Sequence, residues 1–216
     1  MADSDKLADL SLLTLLDRLA SSDPVPGGGS ASAIAGAMGA ALVAMVAELT
    51  IGRTEYSEHE ETLLELRTAA VERQQLLLSL ADEDATAYQS VVAARRMPKE
   101  TEPQREARAA ALRTAMIEAA RVPLRAANVA AEVLELAARI APIGNRNAVS
   151  DAGVAAQLSG AALRGALLNV RINLPYLPAD EPLRISAPPE LVRLEAIANE
   201  REQAALAAVD ARLLPS

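Results

Sequence analysis

Four polar residues stand where helical periodicity asks for apolar ones: Asp84, Asp151, Asn169 and Asn173. Leu77, Leu80, Ala81, Tyr88, Val91 and Val92 make one stripe at helical spacing, and Asp84 falls inside it, whereas Asp82 and Glu83 fall outside and can face water. A carboxylate on a buried face costs several kcal/mol unless it is paired or hydrogen-bonded. Two readings follow: a structural Asp paired with an Arg across a helix bundle, or a proton-transfer group in a cleft. Val154, Leu158, Ala162, Gly165 and Ile172 form a second stripe, with Asp151 at its start and Asn169 and then Asn173 one turn apart near its end. Neutral amides placed in this way can read the amide edge of a heterocycle through paired donors and acceptors. The structural alternative is that Asp151 caps a helix while the amides tie down backbone carbonyls.

Gly27-Gly28-Gly29-Ser30 adds backbone amides at a helix start, a seat for an anion or polar ring, though the same glycines also suit a tight turn beneath close helix packing. No Gly-Lys-Ser or Gly-Lys-Thr follows, so this is not a Walker phosphate loop. The single histidine, His59, sits among Glu58, Glu60 and Glu61 in a solvated first turn, and there is no Cys. The sequence therefore predicts no metal site and no thiol chemistry. Arg95, Arg96 and Lys99 form a small basic cluster that either compensates a helix C-terminus or receives an acidic substrate tail.

The elements that must position these groups are all helices. Ala, Leu and Val supply most of the apolar 51% of the 216 residues, Phe and Trp are absent, and no strand pattern occurs. The punctuation predicts helices over Lys6–Ala20, Ala31–Thr50, from Ser57 (as a capping box with Glu60) to Arg96, Gln104–Ala141 with a kink at Pro123, Asp151–Asn173 and Glu190–Leu213. Pro175 to Pro189 reads as a connector. Ser32, Gly36, Ala40 and Ala44 recur every four residues, which marks the second helix as the central one. The fold class is thus an all-α multi-helix bundle, one domain over residues 1–216, with one very long helix and a central Gly/Ala-rich helix. Ala31–Ala47 could pass for a membrane span, but it is short, bounded by Glu48 and without a basic flank, so a buried helix is expected and no membrane role. A net charge of −8 argues against a nucleic-acid partner, and the acidic start of the chain lacks a secretory character, so the cytoplasm is the expected location.

In order and spacing, a further series of segments is specific. It runs Val25-Pro26-Gly27-Gly28-Gly29-Ser30, Met38-Gly39-Ala40-Ala41-Leu42, Met45-Val46, Leu49-Thr50 with Gly52-Arg53, Asp82-Glu83-Asp84 with Ala87-Tyr88, and Met97-Pro98-Lys99. It continues with Val122-Pro123-Leu124, Gly144-Asn145 with Ser150-Asp151, and Gly165 with Asn169-Val170 and Ile172-Asn173-Leu174. From about residue 20 to 175 the chain resembles the cyclodeaminase/cyclohydrolase family of folate enzymes, which includes the C-terminal domain of formiminotransferase-cyclodeaminase, in a form without a formiminotransferase domain.

The resemblance implies an all-helical homodimer acting, without metal or redox cofactor, on the bridge between N-5 and N-10 of tetrahydrofolate. Either it hydrolyses methenyltetrahydrofolate to 10-formyltetrahydrofolate, or it closes formiminotetrahydrofolate with loss of ammonia. Of these, hydrolysis is expected, because water is always available whereas formimino-folate needs a dedicated supply. A helical scaffold, or a protein that binds folate without turnover, is the non-enzymatic alternative. Under the resemblance, Asp84 is the leading general acid/base and Asp151 the second. Asn145, Asn169 and Asn173 would orient the pterin, and the amides of Gly28, Gly29 and Ser30 would hold a polar edge. Tyr88 would stack on the ligand or hydrogen-bond to it, and Arg53 and Lys99 would meet the glutamate carboxylates.

Overall fold

In the computed structural model residues 6–213 are described, and the acidic start at residues 1–5 lies outside the described residues. Among the described residues six α-helices follow one another: α1 (Leu12–Leu19), α2 (Gly28–Glu48), α3 (Glu60–Arg96), α4 (Glu102–Ile140), α5 (Val149–Asn173) and α6 (Leu183–Leu213). No strand occurs among the described residues, and the bundle is all-α as its sequence implies. Helix α2 packs against α3 and α5, and α4 packs against the same two, so α2 to α5 close a four-helix ring with α6 laid along α4 and α5.

The ring closes tightly because α2 presents small residues. A Cβ on Gly36 would lie 3.1 Å from Leu77 of α3 and 3.2 Å from Ala162 of α5, and one on Gly39 would lie 3.0 Å from the Ala155 carbonyl. Leu63, Leu66, Leu77 and Leu80 of α3, Leu134 and Ile140 of α4, and Leu163 and Leu167 of α5 fill the interior with Val43 and Val46. By length and composition α2 could cross a membrane, yet more than half of its most apolar stretch is buried within the bundle. Pro123 is buried inside an uninterrupted α4.

Besides shifts of one to three residues at other helix ends, the boundaries differ from the sequence reading in three places. Ser11 caps α1 by accepting from the Thr14 amide at 3.1 Å, so the predicted first helix divides into a 3-10 turn at Leu7–Asp9 and a shorter α1. Residues Thr54–His59 form a 3-10 helix, and no side chain caps α3 where the Ser57–Glu60 box was expected. Helix α6 starts at Leu183 and passes through Pro188 and Pro189, which the sequence reads as connector. Each proline removes one N–H, leaving the carbonyls of Arg184 and Ile185 without a helical donor; both residues are exposed, so water can serve them.

Helices α3 and α4 are about 55 and 58 Å long, against about 31 Å for α2 and 37 Å for α5. Cross-contacts set the register: Glu48 at the end of α2 pairs with Arg67 of α3 at 3.1 Å, and Asn173 at the end of α5 bonds the Ala119 carbonyl of α4 at 2.8 Å. Beyond Asp84 and Ala119 the α3–α4 hairpin therefore overhangs the other two helices. The start of α2, the end of α5 and the root of this overhang meet at one end of the bundle.

Candidate active site

At that end, Pro24, Val25, Gly27, Gly28, Gly29, Asp84, Tyr88, Ala119, Asn169 and Asn173 line a cavity of about 220 Å³. Gly27 is the N-cap of α2, so Gly28, Gly29 and Ser30 form its first turn, three residues earlier than the predicted start. The amides of a first turn have no acceptor within their own helix. One of them is served from α3: the half-buried Asp84 carboxylate accepts from the backbone amide of Ser30 and from its hydroxyl, with Oγ 3.1 Å from Oδ2. A carboxylate from one helix thus caps another, where the helix dipole favours negative charge.

Burial nevertheless dominates. It pushes the Asp84 carboxyl above its ordinary range, and the two Ser30 hydrogen bonds only partly offset this. No arginine among the described residues forms an ion pair with it; the neighbouring Asp82 instead accepts from the Leu7 amide at 2.8 Å, and Glu83 pairs with Arg125 of α4 at 2.6 Å. Of the two sequence readings of Asp84, the structural pair across the bundle is thereby removed. Gly29 is what lets the carboxylate sit over the helix start: a Cβ there would lie 2.5 Å from Asp84 Cγ.

The opposite wall is made of amides. Asn169 Nδ2 donates to the Gly165 carbonyl at 2.9 Å, and Asn173 Nδ2 donates to the carbonyls of Ala119 and Asn169 at 2.8 and 2.9 Å. Anchoring each nitrogen on a carbonyl leaves each Oδ1 as the free acceptor, and no donor among the described residues reaches either one. Tyr88, 43% exposed, stands at the rim. The cavity offers a protonatable carboxyl, two acceptor oxygens and the N–H groups of Gly28 and Gly29, enough to hold a small flat heterocycle and move one proton. Volume alone would favour a neighbouring cavity of about 680 Å³, which shares Val25 and holds Lys6, Arg18, Asp82, Glu83 and Glu118, but its carboxylates are exposed or already bonded.

Seven of the eleven residues singled out in the sequence meet here: Gly28, Gly29, Ser30, Asp84, Tyr88, Asn169 and Asn173. The other four do not. Asn145 is buried at the far end of α2, where it bonds Thr50 Oγ1, the Leu49 carbonyl and the Asn147 amide. Arg53 is exposed in the turn after α2 at that same end. Asp151 lies in the first turn of α5, eighteen residues and so about 27 Å along the helix from Asn169. Lys99 is exposed at the tip of the α3–α4 overhang. Pro24, Val25 and the Ala119 carbonyl join the site without having been singled out; the Pro-Val-Pro run before the glycines is their one sequence signal. No cluster of three or more metal-ligating side chains occurs among the described residues.

A family model described as formiminotransferase-cyclodeaminase matches residues 11–185. Methenyltetrahydrofolate cyclohydrolase of Methylorubrum extorquens is 46% identical over 160 residues, 74% of this chain and 77% of that protein. Formimidoyltransferase-cyclodeaminase of Rattus norvegicus is 34% identical over 168 residues, 78% of this chain but 31% of the rat protein, so the chain spans about a third of that relative. The crystal structure of formiminotetrahydrofolate cyclodeaminase from Thermotoga maritima superposes with a TM-score of 0.85 at 30% identity, covering 96% of this chain and all of the other.

Proposed function

Because the chain belongs to the formiminotransferase-cyclodeaminase family, we propose that the Asp84 cavity is its active site and that it hydrolyses methenyltetrahydrofolate to 10-formyltetrahydrofolate. The observation that carries this reading is a carboxyl of raised proton affinity, unpaired with any cation among the described residues, facing two free amide oxygens across a cavity sized for one bicyclic ring. The methenyl carbon is an amidinium held between two nitrogens. Ionised Asp84 takes a proton from a water as the water oxygen bonds to that carbon. The neutral carboxyl then delivers that proton to N-5 as the carbon–N-5 bond breaks, and the remaining hydroxyl proton passes to solvent water as the C=O forms, leaving the formyl group on N-10. One group acts first as base and then as acid, so its proton affinity belongs nearer neutrality than that of an exposed aspartate.

The Oδ1 atoms of Asn169 and Asn173 would accept from the N–H edge of the pterin, and the Gly28 and Gly29 amides would face its carbonyl. Tyr88 at the rim would cover the ring. Such a surround is polar and preorganised, and it holds charge without rearranging. The chemistry asks for no further cofactor, and the cytoplasm is the proposed compartment.

Cyclodeamination is the second reading, supported by the likeness to the Thermotoga maritima enzyme. It passes through the same tetrahedral carbon and differs in the leaving group. Offering both substrates to one preparation decides between them. Loss of methenyl absorbance above the buffer rate supports hydrolysis, whereas ammonia release from formiminotetrahydrofolate with no such excess reverses the choice. Neither activity, with no folate-induced rise in melting temperature, overturns the enzyme reading.

We also propose a homodimer through α2 and α5. Met38, Leu168 and Ile172 are 56, 62 and 66% exposed, Met45, Leu49 and Val154 continue the same apolar surface, and α2 carries no charge before Glu48. Light scattering at micromolar concentration should return twice the chain mass, and a monomer mass refutes the proposal.

A further inference from the structure

Ser30 is fully buried, and its single hydroxyl faces two acceptors: Oγ lies 2.9 Å from the Ala81 carbonyl oxygen and 3.1 Å from Asp84 Oδ2. A serine carries one proton and two acceptor lone pairs, whereas a carbonyl and an ionised carboxylate can only accept. While Asp84 is charged, one proton must therefore serve two oxygens. Once Asp84 is protonated, its own O–H can donate to Ser30 Oγ, which leaves the serine proton for Ala81. All three groups are then satisfied in a single chain running from carboxyl to hydroxyl to carbonyl.

We propose that Ser30 is a positioning residue whose hydroxyl turns between the Ala81 carbonyl and Asp84 with each proton that Asp84 releases or takes up, holding the carboxyl in place in both states. This rests on the reading of Asp84 as the proton-transfer group. The turn needs only rotation about the C–O bond, and no heavy atom moves. It leaves no orphan, because the Ala81 carbonyl lies inside α3 and also accepts the amide four residues on. A carboxyl that must accept a proton from water and then return it to a ring nitrogen is thus held at one spot throughout.

Among the described residues no other charged side chain lines this cavity. Asp82 and Glu83 of α3 are engaged by the Leu7 amide and by Arg125 of α4. Helix α2 has no ionisable side chain before Glu48, α5 contributes Asn169 and Asn173, α4 contributes Ala119, and Tyr88 lies at the rim. The proton balance of the cavity is set locally, between Asp84 and Ser30.

Ser30→Ala removes the donor from the anion and the acceptor from the neutral acid. The bond to the anion is charge-assisted and the stronger of the two, so proton affinity must rise. A single such bond corresponds to about one pH unit. The test uses the full chain labelled with ¹³C at the aspartate carboxyl carbons, with Asp84→Asn identifying the Asp84 resonance. Its titration is followed in the wild type and in Ser30→Ala beside the buffer-corrected pH–rate profile for methenyltetrahydrofolate. The expected result is that the titration and the acidic limb of the profile move up together by about one unit. A purely structural role would lower the rate at every pH and move neither. A folded Ser30→Ala protein whose Asp84 titrates where it did before overturns the proposal. If the titration moves while the limb stays, the coupling stands and Asp84 fails as the acid/base. Should Ser30→Ala not fold, Ser30→Cys preserves the volume with a weak donor and is judged by the same criterion.

Discussion

Gly29→Ala tests the geometry of the site at a single carbon. The added Cβ would lie 2.5 Å from Asp84 Cγ and from Oδ2, where ordinary contacts between heavy atoms need about 3.5 Å or more. Asp84 Oδ1 would be closer still, so the shortfall is more than about 1 Å. Since Gly29 is locked in the first turn of α2, the aspartate side chain is what gives way. Turning it aside breaks both hydrogen bonds to Ser30. Each is worth roughly 1.5–3 kcal/mol at a charged group, much of it recovered as the freed carboxylate meets water. Alanine in a helix returns up to about 1 kcal/mol over glycine. The fold should survive with a melting temperature lowered by no more than about 5 °C. Activity should not, because a displaced general acid/base forfeits about 100-fold or more. Gly28→Ala is the matched control: its Cβ would sit 3.6 Å from Asn169 Nδ2, an ordinary contact, so KM should rise while the pH limb of kcat stays in place. Absorbance decay of methenyltetrahydrofolate, corrected for buffer hydrolysis, reads both. A Gly29→Ala protein with wild-type kcat/KM would refute the placement of Asp84 in the chemistry.

Asp84→Asn should stay folded and lose most activity, because it keeps the shape and removes the titrating group. Its stability carries a signed test: the native carboxyl holds its proton to higher pH than the unfolded one, so wild-type stability falls relative to that of the Asn variant as pH rises between the two values. Melts of both proteins at stepped pH measure this, and a wild type that gains stability relative to the Asn variant across that window contradicts the raised proton affinity. Asn169→Leu removes one of the two free acceptors and should weaken folate binding by roughly 10-fold or more in calorimetry, with little change in fold. Unchanged affinity would remove the amide from recognition. Asp151→Asn, about 27 Å along α5 from the cavity, should retain activity if Asp84 alone moves the proton. Inactivity in a folded variant would bring Asp151 into the site, which within the proposed dimer only the second copy could supply.

The long helices were legible because α3 and α4 run for some ten turns with few breakers and a steady apolar period, and an out-of-place Asp84 stands out against such a background. Which polar residues share an end of the bundle was not legible. Asn145 and Asn169 belong to the same ordered series of segments, yet helix length carries them to opposite ends, and only the antiparallel register of α2, α3 and α5 decides who meets whom. Prolines misled the reading of α6, because in its first turns they remove donors whose carbonyl partners are exposed to water. Ser30 showed its position but not its direction: a serine in a glycine-rich turn reads as ligand-facing, whereas here its hydroxyl points inward to α3.

Capping α2 from other helices has a consequence for when the site comes into being. Its first turn is secured by Asp84 and Ala81, 54 and 51 residues downstream, and its last turn by Asn145, about 95 residues away. The Asn wall arrives only with the end of α5. These are non-local contacts whose loop-closure entropy must be met before they return anything, so they form late in folding. A nascent chain gains the cavity only after residue 173 has emerged, and until then α2 is an apolar segment in need of cover. In the finished protein the same linkage ties the amide of Ser30 to the cooperative opening of the ring rather than to local fraying, so its hydrogen exchange should be among the slowest in α2.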